Sequence, residues 1–205
     1  STAMLVLLRA SGMRPDLILF ADTGSERPET YAYLGTMNAW LARAGFPPIT
    51  VVRKVPGEET GYKTLFEQCI AYEMLPSLAY GGHMHSCSVK WKAEPMNAYV
   101  RSTVLAQSAL ASGGRVVRVI GYDDSKADND RRGRFEGRGG TEDDGESFYY
   151  YPLQVARWAR EECIERIAAA GLPVPPKSSC YFCPSSKPWE IIDLVLKHPD
   201  LAAKI

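Results

Sequence analysis

A short apolar stretch followed by a polar turn and a proline, residues 17–31, most constrains what this chain can fold into. The run Leu-Ile-Leu-Phe-Ala at 17–21 is typical of a buried strand, and Asp-Thr-Gly follows it directly. Pro28 suits the first turn of a helix, because the missing N–H of proline would have no intrahelical partner there. A polar turn between a strand and a helix N-terminus is where open α/β sheets bind ligands, and such an edge favours anions. The sequence therefore predicts an α/β fold with a ligand-binding edge at this turn.

Strand-like and helix-like segments alternate along the rest of the chain. Strands rich in apolar or β-branched residues are predicted at 16–21, 49–55 and 115–121. Helices are predicted from apolar periodicity and end signals at 2–11, 28–44, 63–74, 94–112, 154–170 and 188–196, with a further one beginning at 198. Such alternation is typical of βαβ units around a mainly parallel sheet. We predict an α/β nucleotide-binding domain at 1–150 and, at 151–205, a helical, cysteine-containing extension of the same domain.

Composition limits the size, the partners and the compartment. A chain of 205 residues with 45% hydrophobic residues suits one domain with an ordinary core. The 24 basic residues balance the 24 acidic residues, so no overall basic field argues for nucleic acid. The apolar runs fall far short of a membrane span, so no membrane partner is expected, and no secretory signal is visible. Five cysteines without such a signal are typical of metal-binding, catalytic or buried thiols, and we expect a cytoplasmic protein.

Residues 123–147 are almost entirely polar, with Ala127 and Phe135 as the apolar exceptions. Such a segment cannot bury enough surface to offset the entropy of ordering it, so we predict a mobile loop. Four arginines, at 131, 132, 134 and 138, lie between acidic ends. They leave two interpretations open: a solvated loop, or a lid that grips an anion.

Two of the cysteines lie in a C-x-F-C-P motif at 180–184. Thiolates at this spacing can chelate one ion from a tight turn, but zinc and iron–sulfur sites need more ligands. Cys87 is the best third candidate, and His85 offers a nitrogen in the same segment. The motif leaves three interpretations open: a metal or cluster site formed by Cys87, Cys180 and Cys183 with His85, a redox dithiol, or structural thiols.

The other two cysteines are predicted to be buried structural thiols. Cys163 lies on an apolar helical stripe with Ile167, and Cys69 lies between Phe66 and Ile70 on another helix. Free cysteine at such positions behaves as a small hydrophobic residue.

Residues 20–31 resemble the F-x-D-T-G-x-E-x-P-E-T-Y segment of the phosphoadenosine phosphosulfate (PAPS) reductase family, within the PP-loop group of adenine-nucleotide proteins. Further blocks are similar at 87–95, at 120–132 and at 177–184. The last block, K-S-x-C-x-F-C-P, is similar to a subgroup among phage-type and DNA-modification proteins, with relatives of the DNA phosphorothioation sulfurtransferases that hold an iron–sulfur cluster. The resemblance implies a three-layer α/β sandwich with a mainly parallel central sheet.

Ser1 and Thr2 resemble the last pair of the family's S-G-G-x-D-S-T phosphate loop. On that comparison, the first strand and the Gly-Gly part of the loop are missing from this sequence. We then expect strands 16–21 and 115–121 to face an empty slot, and nucleotide binding to be weak. The ordinary alternative is a helix with a serine N-cap.

The resemblance implies an enzyme that binds ATP or PAPS, with Mg²⁺ if the nucleotide is ATP, and that performs sulfur transfer or adenylation on a nucleic-acid or protein partner. The nucleotide-binding residues that it implies are Ser1, Thr2, Asp22, Thr23, Glu26, Lys92, Gly121 and Arg132. The catalytic residues that it implies are Cys180, Cys183 and Lys90, and an iron–sulfur cluster or Zn²⁺ would be held by Cys87, Cys180, Cys183 and His85. Exposed lysines on a turn are the ordinary alternative for Lys90 and Lys92.

One departure from the family separates the rival hypotheses. Reductases of the family carry their redox cysteine in an E-C-G-[LI]-H motif, which these residues lack. Reduction of PAPS or adenosine phosphosulfate would need the C-x-x-C pair to replace that cysteine. A third hypothesis is a nucleic-acid-associated zinc module, with Cys180 and Cys183 structural and the arginines contacting phosphates.

Overall fold

The structure is a computed structural model that describes residues 2–78, 85–136 and 143–205. The chain forms two compact units. The first unit consists of the described parts of Ser1–Ile18, Thr36–Pro48 and Val100–Pro175, and the second of the described parts of Leu19–Gly35, Ile49–Tyr99 and Pro176–Ile205. Each unit draws on separated segments, whereas the predicted division at residue 150 follows the order of the chain.

Strands and helices alternate, which confirms the α/β class. The strands are β1 (Ile18–Asp22), β2 (Ile49–Arg53), β3 (Val116–Val119) and β4 (Ser147–Tyr150). The longer α-helices are α1 (Thr2–Ala10), α2 (Pro28–Ala44), α3 (Leu65–Ala71), α4 (Glu94–Ser102), α5 (Val104–Ala111), α6 (Lys126–Glu136), α8 (Arg160–Ala169) and α9 (Pro188–Lys197). The short α-helices are α7 (Pro152–Val155) and α10 (Pro199–Ala202). A π-helical turn, Ser88–Ala93, precedes α4 directly.

The described strands form two small sheets. β1 pairs with β2, and β3 pairs in parallel with β4, in a register that runs from Val116↔Ser147 to Val119↔Tyr150. Parallel neighbours need a crossover connection, and α6 lies in the connection from β3 to β4. β1 and β3 therefore belong to different sheets in the described part of the chain.

The first unit has its core around α1, which packs against α7 and α8. Leu5 and Leu8 of α1 are buried, as are Cys163 and Ile167 of α8. The prediction that Cys163 is a buried thiol on an apolar stripe is confirmed.

An aromatic cluster forms the core of the second unit. Its buried members include Tyr62, Trp91, Tyr181 and Phe182, with Leu194 from α9. Cys69 is also buried in this cluster, as predicted. α9 begins with Pro188 at its first position, in agreement with the predicted helix start.

Two predicted helices are divided in the structure. The predicted helix 94–112 divides at Thr103, whose backbone is extended and whose hydroxyl accepts a hydrogen bond from Ala106 N–H to cap α5. The predicted helix 154–170 divides at Arg157, where φ is 59°. Both predictions were wrong at the break, because apolar periodicity continues through a residue that leaves helical geometry.

A helix, α6, forms inside the polar segment for which a mobile loop was predicted. The guanidinium of Arg131 lies 5.2 Å from the ring centroid of Tyr122. The guanidinium of Arg132 lies 4.6 Å from the ring centroid of Tyr151. These cation–π contacts hold α6 against two tyrosine rings whose centroids lie 5.8 Å apart. Arg138 lies outside the described residues.

None of the described helices combines the length and the apolar character that crossing a membrane requires.

Candidate functional site

Asp22 organises the turn that follows β1. Its buried carboxylate accepts hydrogen bonds at Oδ1 from Gly24 N–H at 2.8 Å and from the Tyr31 hydroxyl at 2.7 Å. Its Oδ2 accepts from Arg53, at 2.7 Å from Nε and 2.6 Å from Nη2. Because both oxygens are engaged within the chain, the geometry gives Asp22 a positioning role in the turn.

The turn also holds the start of α3. Leu65 N–H donates to the backbone oxygen of Thr23 at 3.0 Å, and Phe66 N–H donates to Ser25 Oγ at 3.2 Å. Gly24 has φ of 71°, and a Cβ there would lie 2.6 Å from Thr64 Cγ2. A side chain at this position is therefore excluded both by the backbone angle and by the neighbouring threonine.

A short antiparallel contact joins the turn to the C-x-F-C-P motif. Arg27 N–H donates to Ser179 O at 3.2 Å, and Tyr181 N–H donates to Ser25 O at 3.1 Å. Glu26 and Cys180 face each other across this bridge. The structure thus brings together the motif at 20–31 and the C-x-F-C-P motif, within the second unit.

Four side chains form a buried polar cluster at this junction: Thr23, Glu26, Lys92 and Cys180, called the Glu26 cluster below. Lys92 Nζ lies 2.8 Å from Glu26 Oε1, and the Thr23 hydroxyl donates to the same oxygen at 3.4 Å. Cys180 Sγ lies 3.2 Å from Thr23 Oγ1 and 4.0 Å from Glu26 Oε1. The Glu26 side chain is 0% exposed and that of Lys92 is 30% exposed, so of these two side chains only that of Lys92 reaches the surface.

The other carboxylate oxygen of Glu26 is poorly satisfied. Oε2 is buried and has no hydrogen-bond partner among the residues that the structure describes. Burying a charged oxygen without a donor costs free energy, so a group of this kind calls for an explanation such as a functional role or a bound ion. The Glu26 cluster is therefore the leading candidate for a functional site in the second unit.

The Glu26 cluster fixes the protonation of its members. Burial raises the pKa of Cys180 to about 12, and the negative charge of Glu26 adds to this effect. Burial alone would lower the pKa of Lys92, but the charge of Glu26 and its hydrogen bond raise that pKa overall. At neutral pH Lys92 is therefore charged and Cys180 is a thiol. Since the thiolate is the nucleophile and the metal ligand, Cys180 in this state is primed for neither role.

The three cysteines of the predicted metal site all lie in the second unit. Burial raises the pKa of Cys87. The positive charge of Lys92 opposes this effect and the nearby Cys183 thiol adds to it, so the three groups are electrostatically coupled. Among the described residues, however, no three or more His, Cys, Asp and Glu side chains are arranged to hold a metal ion. His85 lies three residues before the π-helical turn, and its backbone oxygen accepts a hydrogen bond from Ser88 N–H. The thiols as placed do not form a ready ligand set for zinc or an iron–sulfur cluster, and that site stays a prediction.

Lys92 reaches the cluster from the π-helical turn. Such turns are rare and frequently occur at functional sites. Trp91 anchors this one, because its side chain is buried and its Nε1 donates to Gln68 Oε1 at 2.8 Å. Lys90 forms an exposed ion pair with Glu94 at 2.9 Å. Of the two predicted lysines, Lys92 thus belongs to the cluster and Lys90 lies at the surface.

Three predicted nucleotide-binding residues lie in the first unit: Thr2, Gly121 and Arg132. Thr2 is buried at the start of α1, and Gly121 follows β3. Arg132 donates to Gln154 Oε1 at 3.1 Å. A cavity of about 240 Å³ is lined by Asp124, Asn129, Arg132, Gln154, Val155 and Arg157. Ser1 lies outside the described residues.

Three residues that hold the site, Arg53, Tyr31 and Gln68, were not predicted from the sequence. Arg53 lies at the end of β2, where a charged residue interrupts a β-branched run, and this interruption was a usable signal. Tyr31 stands inside the motif at 20–31 and was treated as part of its pattern. Gln68 had no local signal, because its partner Trp91 is 23 residues away.

Comparison with known protein families, curated proteins and solved structures finds no match to this chain.

Proposed function

We propose that the chain is an adenine-nucleotide-binding enzyme domain of the PP-loop type, similar to the PAPS reductase family, that serves adenylation or sulfur transfer. The proposal includes the family's three-layer α/β sandwich around a mainly parallel sheet, and a cytoplasmic location. The observation that carries the proposal is the junction that follows β1. There Glu26 of the block at 20–31 contacts Cys180 of the block at 177–184 and Lys92 of the block at 87–95.

The position of the Glu26 cluster fits an anionic ligand. Open α/β sheets bind ligands beyond the carboxyl ends of their strands, and the cluster follows the last residue of β1, Asp22. Phosphate and sulfate groups need a cation and hydrogen-bond donors, and a lysine ammonium is a common partner for them. Lys92 supplies such an ammonium on a side chain that is partly exposed.

The proposed chemistry is nucleophilic attack at phosphorus. In adenylation an acceptor oxygen attacks the α-phosphorus of ATP, the bond from that phosphorus to the bridging oxygen breaks, and pyrophosphate leaves. Positioning and charge neutralisation lower most of the barrier in such reactions, and Lys92 and the surface residue Lys90 would contribute positive charge. Mg²⁺ is expected to arrive bound to the phosphates of ATP. The acceptor would be a nucleic acid or a protein.

Cys180 and Cys183 are the thiols proposed for the sulfur-transfer step. An external persulfide donor would pass its outer sulfur to Cys180, and the resulting persulfide would attack the adenylated acceptor and displace AMP. Attack by Cys183 on the disulfide so formed would release the acceptor as a thiol and leave a Cys180–Cys183 disulfide, which an external thiol would reduce. The step needs a sulfur donor from outside this chain, and it needs Cys180 to leave the protonated state that burial and Glu26 impose. Binding of zinc or an iron–sulfur cluster at Cys87, Cys180, Cys183 and His85 would require these side chains to rearrange.

Photolabelling with an azido-substituted adenosine triphosphate tests the proposed nucleotide site. We expect labelled peptides from the second unit, in the stretches 19–35 or 85–99, with labelling suppressed by excess ATP or PAPS. Label that neither nucleotide suppresses, or suppressible label confined to the first unit, would contradict the proposal.

A further inference from the structure

In the ion pair between Glu26 and Lys92, a buried carboxylate contacts the ammonium that the proposed function assigns to the anionic group of the ligand. The Lys92 ammonium and the Thr23 hydroxyl both point to Glu26 Oε1. Of these two side chains, an oxyanion approaching from solvent can reach only that of Lys92, because it is 30% exposed whereas that of Glu26 is fully buried. The ammonium that such an oxyanion would contact is therefore already paired with a buried carboxylate.

We propose that Glu26 is the resting counter-ion of an oxyanion site at Lys92, and that a bound phosphate or sulfate group takes Lys92 over from Glu26. The inference rests on the proposed function and deepens it, since it names the residue that receives the anionic group and the residue that restrains it. Thr23 and Cys180 then have a defined role, because they keep hydrogen bonds on Glu26 when Lys92 turns away.

The geometry supplies what this exchange needs. Thr23 Oγ1 lies 3.4 Å from Glu26 Oε1, and the Cys180 thiol can donate to the same oxygen at 4.0 Å. Two neutral donors therefore stay with the carboxylate after Lys92 leaves. Lys92 itself sits on a π-helical turn next to the start of α4, where the backbone is wound differently from the helix that follows. A change in this turn would move the ammonium, whereas the bridge between Glu26 and Cys180 is made by backbone atoms of two other segments.

The exchange also explains why the site would hold its ligand weakly. A buried carboxylate that loses its cation is costly, because water cannot replace the lost partner. That cost is subtracted from the binding free energy of every anion that takes Lys92. Removing the charge of Glu26 removes the competitor and the cost together.

Titration with inorganic sulfate, at constant ionic strength and followed by NMR, tests the inference. Glu26→Gln should bind sulfate at least about tenfold more tightly than the wild type, because a unit charge in contact with the cation is worth more than a tenfold change in affinity. Glu26→Asp, which keeps the charge, should show a much smaller gain. Glu58→Gln is the control: it removes an exposed carboxylate of the same unit and should leave sulfate affinity unchanged.

Two results would overturn the inference. One is a folded Glu26→Gln variant that binds sulfate no more tightly than the wild type. The other is a gain in sulfate affinity that persists in Glu26→Gln/Lys92→Met, since the sulfate would then bind at a site that does not include Lys92. A readout in the wild type needs no variant: the Nζ proton signals of Lys92 should move as sulfate saturates, and unmoved signals at saturation overturn the inference as well.

The same proteins distinguish this inference from the proposed function. Nucleotide binding that Glu26→Gln fails to strengthen overturns the exchange and leaves nucleotide binding standing. A sulfate gain in Glu26→Gln together with no binding of ATP or PAPS overturns the proposed function and leaves the exchange standing.

Discussion

Glu26 and Cys180 face each other across an antiparallel bridge, although 154 residues separate them in the sequence. The backbone hydrogen bonds on either side of the pair involve Ser25, Arg27, Ser179 and Tyr181. Because backbone atoms make the bridge, side chains in the Glu26 cluster can be replaced without removing the contact that assembles it. Variants at Glu26 and Lys92 therefore report on charge and hydrogen bonding.

Lys92→Met should destabilise the second unit, because it leaves the buried Glu26 carboxylate without its cation. The expected loss is about 3 kcal/mol, since breaking a buried ion pair from one side is more costly than replacing both partners. Glu26→Gln/Lys92→Met should recover most of that loss. Urea unfolding gives the free energy of unfolding of the wild type, both single variants and the double variant, which together form a double-mutant cycle. A double variant whose loss equals the sum of the single losses would show that the two side chains do not interact.

Asp22→Ala should lower stability as well as any ligand affinity, because Asp22 holds the turn from inside. The change leaves Gly24 N–H and the Tyr31 hydroxyl without their acceptor, at a cost of about 2 kcal/mol or more. Tyr31→Phe removes one of these bonds and also the long one that the hydroxyl accepts from Glu26 N–H, and it should cost less than Asp22→Ala, roughly 1 kcal/mol. Thermal unfolding of both variants tests whether Asp22→Ala loses more stability than Tyr31→Phe. An Asp22→Ala protein as stable as the wild type would refute the positioning role.

Gly24→Ala should be more harmful than Gly61→Ala, although both glycines have φ near 70°. The left-handed backbone penalises a side chain at both positions. At Gly24 the new Cβ would also meet Thr64 Cγ2 at 2.6 Å, whereas at Gly61 no described atom lies within 4 Å. The comparison isolates the contact between the turn and the start of α3. Equal losses of stability in the two variants would mean that Thr64 moves aside at no cost, and would contradict a close contact between the turn and the start of α3.

The parts of the fold that local pattern controls were predicted from the sequence. The start of α9 was predicted because Pro188 and the apolar spacing lie within one stretch of chain. Burial of Cys69 and Cys163 was predicted because their helical neighbours are apolar. The break at Thr103 was missed, because a cap requires an extended residue that periodicity does not reveal. α6 was missed because arginine–tyrosine contacts support it in place of an apolar stripe.

The candidate site was predicted in its residues and missed in its arrangement. Thr23, Glu26, Lys92 and Cys180 were each singled out, but in separate roles of nucleotide contact and metal ligation. Their association depends on contacts between residues 66 to 157 positions apart, and no local signal in one sequence encodes such pairing. The same holds for the ion pair of Arg53 with Asp22, which joins the ends of two strands.

Cys180 should be alkylated slowly by iodoacetamide in the folded chain. Burial and the charge of Glu26 raise its pKa to about 12, so at about pH 8 nearly all of it is the unreactive thiol. Its rate should climb with pH up to the raised pKa, and Glu26→Gln should lower that pKa and speed the reaction at a given pH. Mass spectrometry of the Cys180 peptide gives the rate, with the denatured chain as the reference. Equal rates in the folded and denatured chains would contradict the described burial.

The central claim is that the Glu26 cluster is the anion-binding part of a nucleotide site, and calorimetric titration with Mg²⁺-ATP and with PAPS tests it most directly. We predict weak but saturable binding of at least one nucleotide to the wild type. Lys92→Met should weaken that binding about tenfold or more, because it removes a cation in contact with the anionic group. Lys63→Met, which removes an exposed lysine of the same unit, should leave it unchanged. Saturable binding that is equally strong in the wild type and in Lys92→Met, or no saturable binding of either nucleotide, would contradict the claim.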